Sequence, residues 1–278
     1  MTKNEKKYSL AHLTVIGCPP PEMTYIAHRA GYDYVSFRPI PLGLSGEPKY
    51  HLAEDRRMLK ETKRAMTDTG LKLMDVELAR ILREKNPKDY IPAMGVAAEL
   101  GGSRILSSAW TPEKNYIVDF YAELCDLAKG YGLTVDFEFV TWSAVKTLNE
   151  AKEILRAANK DNCGIMIDTL HFYRSRVALE ELDDVPRKWF HFAHICDAPK
   201  DIPDMNDTDA LVRTGRAERL YIGEGAIDIA SIINRMPDIP LSIELPHEER
   251  AREYGYAEHA ARCIESARAY FARHHETL

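Results

Sequence analysis

Apolar and polar positions alternate with period two in short stretches, and with a helical period between them, along almost the whole chain. The run "AHLTVIG" (11–17) predicts a first strand. Pro19, Pro20 and Pro21 then suit the first turn of a helix that Gly31 ends. The same order recurs. Further strands are predicted over 32–40, 71–81, 103–110, 135–140, 163–172, 189–198 and 240–247. Helical patterns lie over 53–70, 89–102, 113–132, 143–159, 227–236 and 256–275, with a short piece at 179–185 and a long polar loop over 199–225. Within "VDFEFV" (135–140), Val135, Phe137 and Phe139 share one parity, and Asp136, Glu138 and Val140 the other.

Eight strand–helix units imply an α/β fold with a parallel sheet covered by helices, and the expected architecture is a single (β/α)8 TIM barrel, one domain over residues 1–278. A doubly wound open sheet would also alternate, but its central strands are apolar on both faces. Here three strands carry polar residues on one parity: Asp75 and Glu77 (against Met74, Val76 and Leu78), Asp136 and Glu138, Ser242 and Glu244. A barrel with a polar site at its mouth accounts for them better.

Composition narrows the classes. Hydrophobic residues make up 45% of the 278 and charged residues 29%, the balance of a globular enzyme. The formal net charge of −6 does not favour nucleic acid as a partner. The five cysteines are odd in number and form no C-x-x-C pair, which argues against a disulfide framework or a cysteine zinc site. No run approaches the ~20 apolar residues of a membrane span, and "MTKNEKKYSLAHLTV" lacks a signal core. The expected compartment is the cytoplasm, with no membrane partner; the helical exterior leaves a homo-oligomer open.

Function in such barrels sits at the C-terminal strand ends. Strand five presents Glu138, strand six Asp168 and His171, strand seven His194 and Asp197, strand eight Glu244 and His247. Each has a plainer reading: Asp168 can cap a helix, His194 can be a hydrogen-bonded core histidine, Glu244 can form a rim ion pair. Their coincidence at one depth favours a shared cation, because carboxylates meeting at one axis repel. Glu138, Asp168, His194 and Glu244 offer three charged oxygen ligands and one nitrogen. That set suits one divalent metal ion, Mn²⁺ or Mg²⁺ first, Co²⁺ or Zn²⁺ next.

The ordered stretches "VDFEFV", "GIMIDTLHFYRS", "FAHICDA", "RLYIGEGAIDIASII" and "LSIELP" resemble the successive motifs of the xylose isomerase-like TIM-barrel superfamily, which includes sugar and sugar-phosphate isomerases and epimerases and inosose dehydratases. The resemblance covers nearly the whole chain and is weak for substrate. It implies a single divalent metal, often Mn²⁺, at Glu138, Asp168, His194 and Glu244. It implies that Glu138 and Glu244 are catalytic, as proton-transfer groups on opposite faces of the substrate, and that His171 lies near the substrate. The strand-seven loop departs from the pattern: it is long and polar, and carries Arg213, Arg216 and Arg219, of which Arg216 is taken as a substrate contact.

Strand parity adds Arg38, Glu77 and Trp110 as substrate-contact candidates. Arg38 can bind a hydroxyl, carboxylate or phosphate, or simply pair with Glu77. Trp110 can stack on a sugar ring or only pack. The Gly223-Glu224-Gly225 turn can cradle an anion or merely connect strand to helix. His28, His51, His259, His274 and His275 read as solvated. The leading expectation is a metal-dependent isomerase or epimerase of a small polyhydroxylated carbonyl compound, a sugar or sugar phosphate, working through an enediolate. The runner-up is a lyase that dehydrates an inosose-like or 3-dehydroshikimate-like substrate. Metal-dependent DNA repair would require more metals and a basic face, and an intact ligand set disfavours a non-catalytic barrel.

Overall fold

In a computed structural model, which describes residues 6–43 and 47–274, eight parallel strands close into a barrel in chain order. They are β1 (Tyr8–Ala11), β2 (Tyr34–Phe37), β3 (Lys72–Ile81), β4 (Arg104–Ala109), β5 (Thr134–Glu138), β6 (Cys163–Asp168), β7 (Phe190–Ile195) and β8 (Leu241–Ile243). Around them run α1 (Pro20–Ala30), α2 (Arg56–Thr69), α3 (Ile91–Glu99), α4 (Lys114–Lys129), α5 (Leu148–Ala158), α6 (Thr169–Arg174), α7 (Thr208–Ala217), α8 (Ile229–Arg235) and α9 (Glu248–His274). Local chemistry sets many of the ends. A proline opens α1 and Gly31 at φ 88° closes it. Thr147 and Glu150 form a reciprocal capping box on α5. α9 breaks at Gly255, which takes φ 75°.

Two apolar layers hold the barrel. The larger lies between the strands and the helices. The smaller, of Leu42, Met74, Leu78, Leu106, Met166 and Phe192, packs separately from it, and Met74, Leu106, Met166 and Phe192 come from β3, β4, β6 and β7. Asp136 shares the parity of Glu138 but sits one inward position earlier on β5. There it is buried and hydrogen-bonded to His191 Nδ1 (2.7 Å) and Thr134 Oγ1 (2.9 Å). Gly164 makes room for this pair, because a Cβ there would lie 2.2 Å from Asp136 Oδ1.

Several predicted bounds change. The run 11–17 is not the first strand: β1 precedes it, and His12–Val15 form a 3-10 helix at the barrel mouth. An apolar run this short does not itself distinguish strand from turn. Residues 169–172 belong to α6 rather than to β6, and the 199–225 loop contains α7. Register shifts on either side of Val76 break the alternation of β3, so that Met74 and Leu78 join the smaller cluster while Val76 faces the helices. His259, read as solvated, is buried and bonded to Leu245 O and the Tyr221 hydroxyl; His275 lies outside the described residues. All five cysteines are free and buried. Among the described residues no helix is long and apolar enough to cross a membrane.

Candidate metal centre

Parallel register sets Asp168 opposite His194 and His194 opposite Ser242; Glu244 follows one inward position beyond Ser242, and Glu138 lies opposite Met166. The barrel's stagger brings these four side chains to one level at the C-terminal mouth. One ligand-type atom from each of Glu138, Asp168, His194 and Glu244 lies within 4.8 Å of the others, and all four residues are buried.

Neither ring nitrogen of His194 has a hydrogen-bond partner. Its Nδ1 stands 3.5 Å from Glu244 Oε2, close enough for charge attraction but outside bonding geometry. Buried polar atoms are rarely left so, and a ligating nitrogen is one physical reason for it. Burial, then the nearby Glu244 and Asp168, push the Glu138 carboxyl well above the usual range. Burial would raise Glu244 too, but Arg219 and His194 hold it well below. Glu244 and the other carboxylates favour protonated His194 against the pull of burial. The cluster thus draws protons onto Glu138 and His194, and a divalent cation would compete with them for the same atoms.

Arg219, buried at 2% exposure, completes the balance. Its guanidinium lies 2.7 Å from Asp168 Oδ2 and 2.9 Å from Glu244 Oε2, and it also donates to the carbonyls of Glu244 and Gly215. With Glu138 and His194 deprotonated, as ligation requires, three carboxylates against one guanidinium would leave two negative charges, which a single divalent cation would neutralise. Asp168 Oδ1 also accepts from Leu170 N at 2.7 Å, so it caps α6 in addition to joining the cluster.

Above the carboxylates is a chamber of about 40 Å³, whose lining includes Leu42, Leu78, Trp110, Val140, Trp142, His171, Arg38 and Arg216. His171, Arg38, Trp110 and Arg216 are therefore at the site. Glu77 is not in the lining: it holds Arg38 at 2.6 Å, and Arg38 also reaches to 3.7 Å from Glu244 Oε1. Trp110 bonds through Nε1 to Ser108. His171 Nδ1 accepts from Thr141, whose backbone nitrogen is at 3.4 Å and hydroxyl at 3.2 Å. Its Nε2 therefore carries the proton, and burial lowers its pKa to about 4, keeping the ring neutral. The Gly223-Glu224-Gly225 turn does not offer its amides to an anion: Gly223, Gly225 and Ile227 all donate to Asp197.

Reading from sequence missed Trp142 and did not single out Arg219. Trp142 stacks edge-on against His171 and meets α7 at Gly215, where a Cβ would lie 2.5 Å from the indole. Gly215→Val should therefore displace α7, and with it Arg216 and Arg219, lowering turnover while far-ultraviolet circular dichroism stays that of a folded barrel. Unchanged turnover in that variant would show that the α7–Trp142 contact does not position the site.

A family model described as a xylose isomerase-like TIM barrel matches residues 25–267. The inosose isomerase of Bacillus subtilis (strain 168) is 31% identical over 157 residues, 56% of this chain and 53% of that protein. The 3-dehydroshikimate dehydratase of Pseudomonas aeruginosa is 25% identical over 240 residues, 81% of this chain and 35% of that protein. The chain thus spans about half, or less, of the length of these curated relatives. Among solved structures, the IolI protein with a bound zinc atom superposes with a TM-score of 0.79 at 20% identity, over 96% of this chain and 98% of that one. The D-allulose 3-epimerase of Methylomonas sp. in complex with D-allulose superposes at 0.70 and 16% identity, over 96% and 98%. At these identities the structural likenesses speak for the fold alone.

Proposed function

The chain belongs to the xylose isomerase-like TIM-barrel family, and from that premise we propose that it is a divalent-metal-dependent isomerase or epimerase of a small polyhydroxylated carbonyl compound. The observation that carries this reading is the buried Glu138–Asp168–His194–Glu244 cluster, three carboxylates held against one guanidinium, beneath a chamber at the barrel mouth. Mn²⁺ or Mg²⁺ suits three carboxylates; the zinc of the IolI structure keeps Zn²⁺ in contention. When bound, such an ion polarises a substrate carbonyl and acidifies the neighbouring C–H.

The remaining work falls to the chain's own side chains. Glu138 and Glu244 stand at the ends of β5 and β8, three strands apart, and approach a substrate from different sides. One, ionised, takes the proton from carbon; the other, starting protonated, delivers its own proton to the opposite face, which gives epimerisation, whereas return of a proton to the adjacent carbon gives aldose–ketose isomerisation. His171, neutral and with Nε2–H free of its Thr141 contact, donates to a substrate oxygen and orients it. Leu42, Leu78, Val140 and the two tryptophans keep bulk water from the reacting carbon.

The test begins with metal. One divalent ion per chain should bind, and Asp168→Asn should lower occupancy while the barrel stays folded; full occupancy in that variant would remove Asp168 from the ligand set. A dehydratase is the second reading, favoured by the 3-dehydroshikimate dehydratase match, which runs over 81% of the chain. NMR in D₂O separates the two: epimerisation labels the carbon next to the carbonyl with no loss of water, and dehydration produces an alkene.

A further inference from the structure

The chamber over the carboxylates, about 40 Å³, has room for a few waters and not for a six-carbon compound. A second cavity of about 430 Å³ adjoins it, within the usual range of a small-molecule site. The two share Leu13 and Arg216 in their walls, so Arg216 stands between them. The larger cavity runs along the 3-10 helix His12–Val15 and the kinked start of α9, past His247, Glu248, Arg252 and Tyr256.

The polar groups of this junction are poorly matched with one another. Arg216 is half-buried, and among the described residues it makes neither a hydrogen bond nor an ion pair. Burial, then Arg38 and Arg80, push it below its ordinary range, against the opposing influence of Glu244 and Glu47. Those four groups already have other partners. Arg38 is taken by Glu77, and Arg80 donates to Leu42 O and lies over Trp110, with no ion pair among the described residues. Glu244 is held by Arg219, and Glu47 accepts from the amides of Leu42 and Gly43. In the larger cavity Arg252 has no ion pair among the described residues, and Glu248 is the one carboxylate of the lining. His247 Nδ1 accepts from Arg250 N at 3.5 Å, which leaves Nε2 as the ring's donor. A half-buried guanidinium left unpaired next to two others is costly unless an anion joins it.

We propose that the substrate carries an anionic substituent, a carboxylate or a phosphate, and that Arg216 receives it at the junction while the carbonyl end lies over the carboxylate cluster. The proposal rests on the isomerase reading for the placement of the carbonyl end, and deepens it by naming the substrate class. Arg216 reads the charge, Arg252 and His247 supply further donors, and the 430 Å³ cavity takes the substrate's far end.

Two matched pairs test this on the metal-loaded full chain: D-allulose against D-allulose 6-phosphate, and 3-dehydroshikimate against its methyl ester. Dissociation constants come from calorimetry at low salt, and kcat/KM is measured wherever turnover occurs. In at least one pair the anionic member should bind ~10-fold more tightly or better, about the worth of one charge-assisted contact. The pair with the larger ratio identifies phosphate or carboxylate. The ratio should shrink in Arg216→Gln and as salt is raised. Equal affinity within both pairs, no binding of either anion, or a ratio unchanged in Arg216→Gln would overturn the proposal, and the wild-type comparison decides even if the variant does not fold. Discrimination without any turnover would retain the anion site and retire the isomerase reading; turnover without discrimination would do the reverse.

Discussion

Glu244→Gln and Glu138→Gln are each expected to cut turnover by at least ~10²-fold, the low end for loss of a group that moves a proton in the transition state. Glutamine keeps the volume and one oxygen, so the packing of Leu42, Leu78 and Val140 around the chamber should survive. What disappears is a carboxylate oxygen that can hold a proton between removal from one carbon and delivery elsewhere. The two variants differ in their side effects. Glu244 is held by Arg219 at 2.9 Å and lies 3.7 Å from Arg38, so its loss also takes one carboxylate from each of two guanidinium groups and leaves Arg219 with Asp168 and Arg38 with Glu77. Glu138 makes no ion pair with either arginine, so its loss should disturb the site less. Turnover and metal content must be measured on the same samples. If either variant keeps full metal and near-normal turnover, that glutamate is a ligand at most, and two-carboxylate proton transfer is wrong. If both keep hydrogen exchange with solvent but lose release of water, the dehydratase reading takes over.

Removal of Arg219 should have the largest effect on stability. Breaking a buried ion pair by deleting one partner costs ~3–5 kcal/mol, because the surviving charge stays desolvated. Here Arg219→Met would leave Asp168 without its guanidinium partner and Glu244 with only the more distant Arg38 and His194, and the two carboxylates are 0% and 4% exposed. For a chain of this size, at ~2–4 °C per kcal/mol, the melting temperature should fall by ~6–20 °C. A divalent cation bound at the cluster supplies the missing positive charge, so the deficit should narrow when metal is in excess. A ligand at a thousand times its dissociation constant adds ~4 kcal/mol to the folded state. Paired thermal melts with chelator and with Mn²⁺ would show this. A variant as stable as the parent in chelator would mean that Arg219 does not balance the cluster.

The four candidate ligands were legible in the sequence because a closed parallel barrel turns a local property into a global one. Parity within each strand decides which side chains point inward, and chain order decides which strands are neighbours. Glu138, Asp168, His194 and Glu244 therefore needed only "VDFEFV", "IDTLH", "FHFAHI" and "LSIEL" and a count of strands. The rule failed where the backbone leaves the ideal: β3 shifts register around Val76, so its alternation did not tell interior from exterior. It failed also for "AHLTVIG", whose apolar residues cover the barrel mouth as a 3-10 helix rather than filling a strand.

The loop residues had no comparable signal. Arg213, Arg216 and Arg219 look alike in sequence, yet Arg213 pairs with Glu218 at the surface, Arg216 stands between two cavities with no ion pair among the described residues, and Arg219 is buried against the cluster. Their sorting depends on α7 meeting Trp142 through Gly215, and on the return of the chain along Asp197 and Leu220. Likewise, only folding shows that Asp197 occupies the amides of the glycine turn, and that His259 is buried against Leu245 and Tyr221. The sequence by itself determined the barrel and the inward ring of carboxylates, because strand periodicity is a nearest-neighbour property of the backbone. The tertiary structure alone decided which arginine neutralises that ring and which is left for a ligand, because that depends on contacts between residues tens of positions apart, which no local pattern encodes.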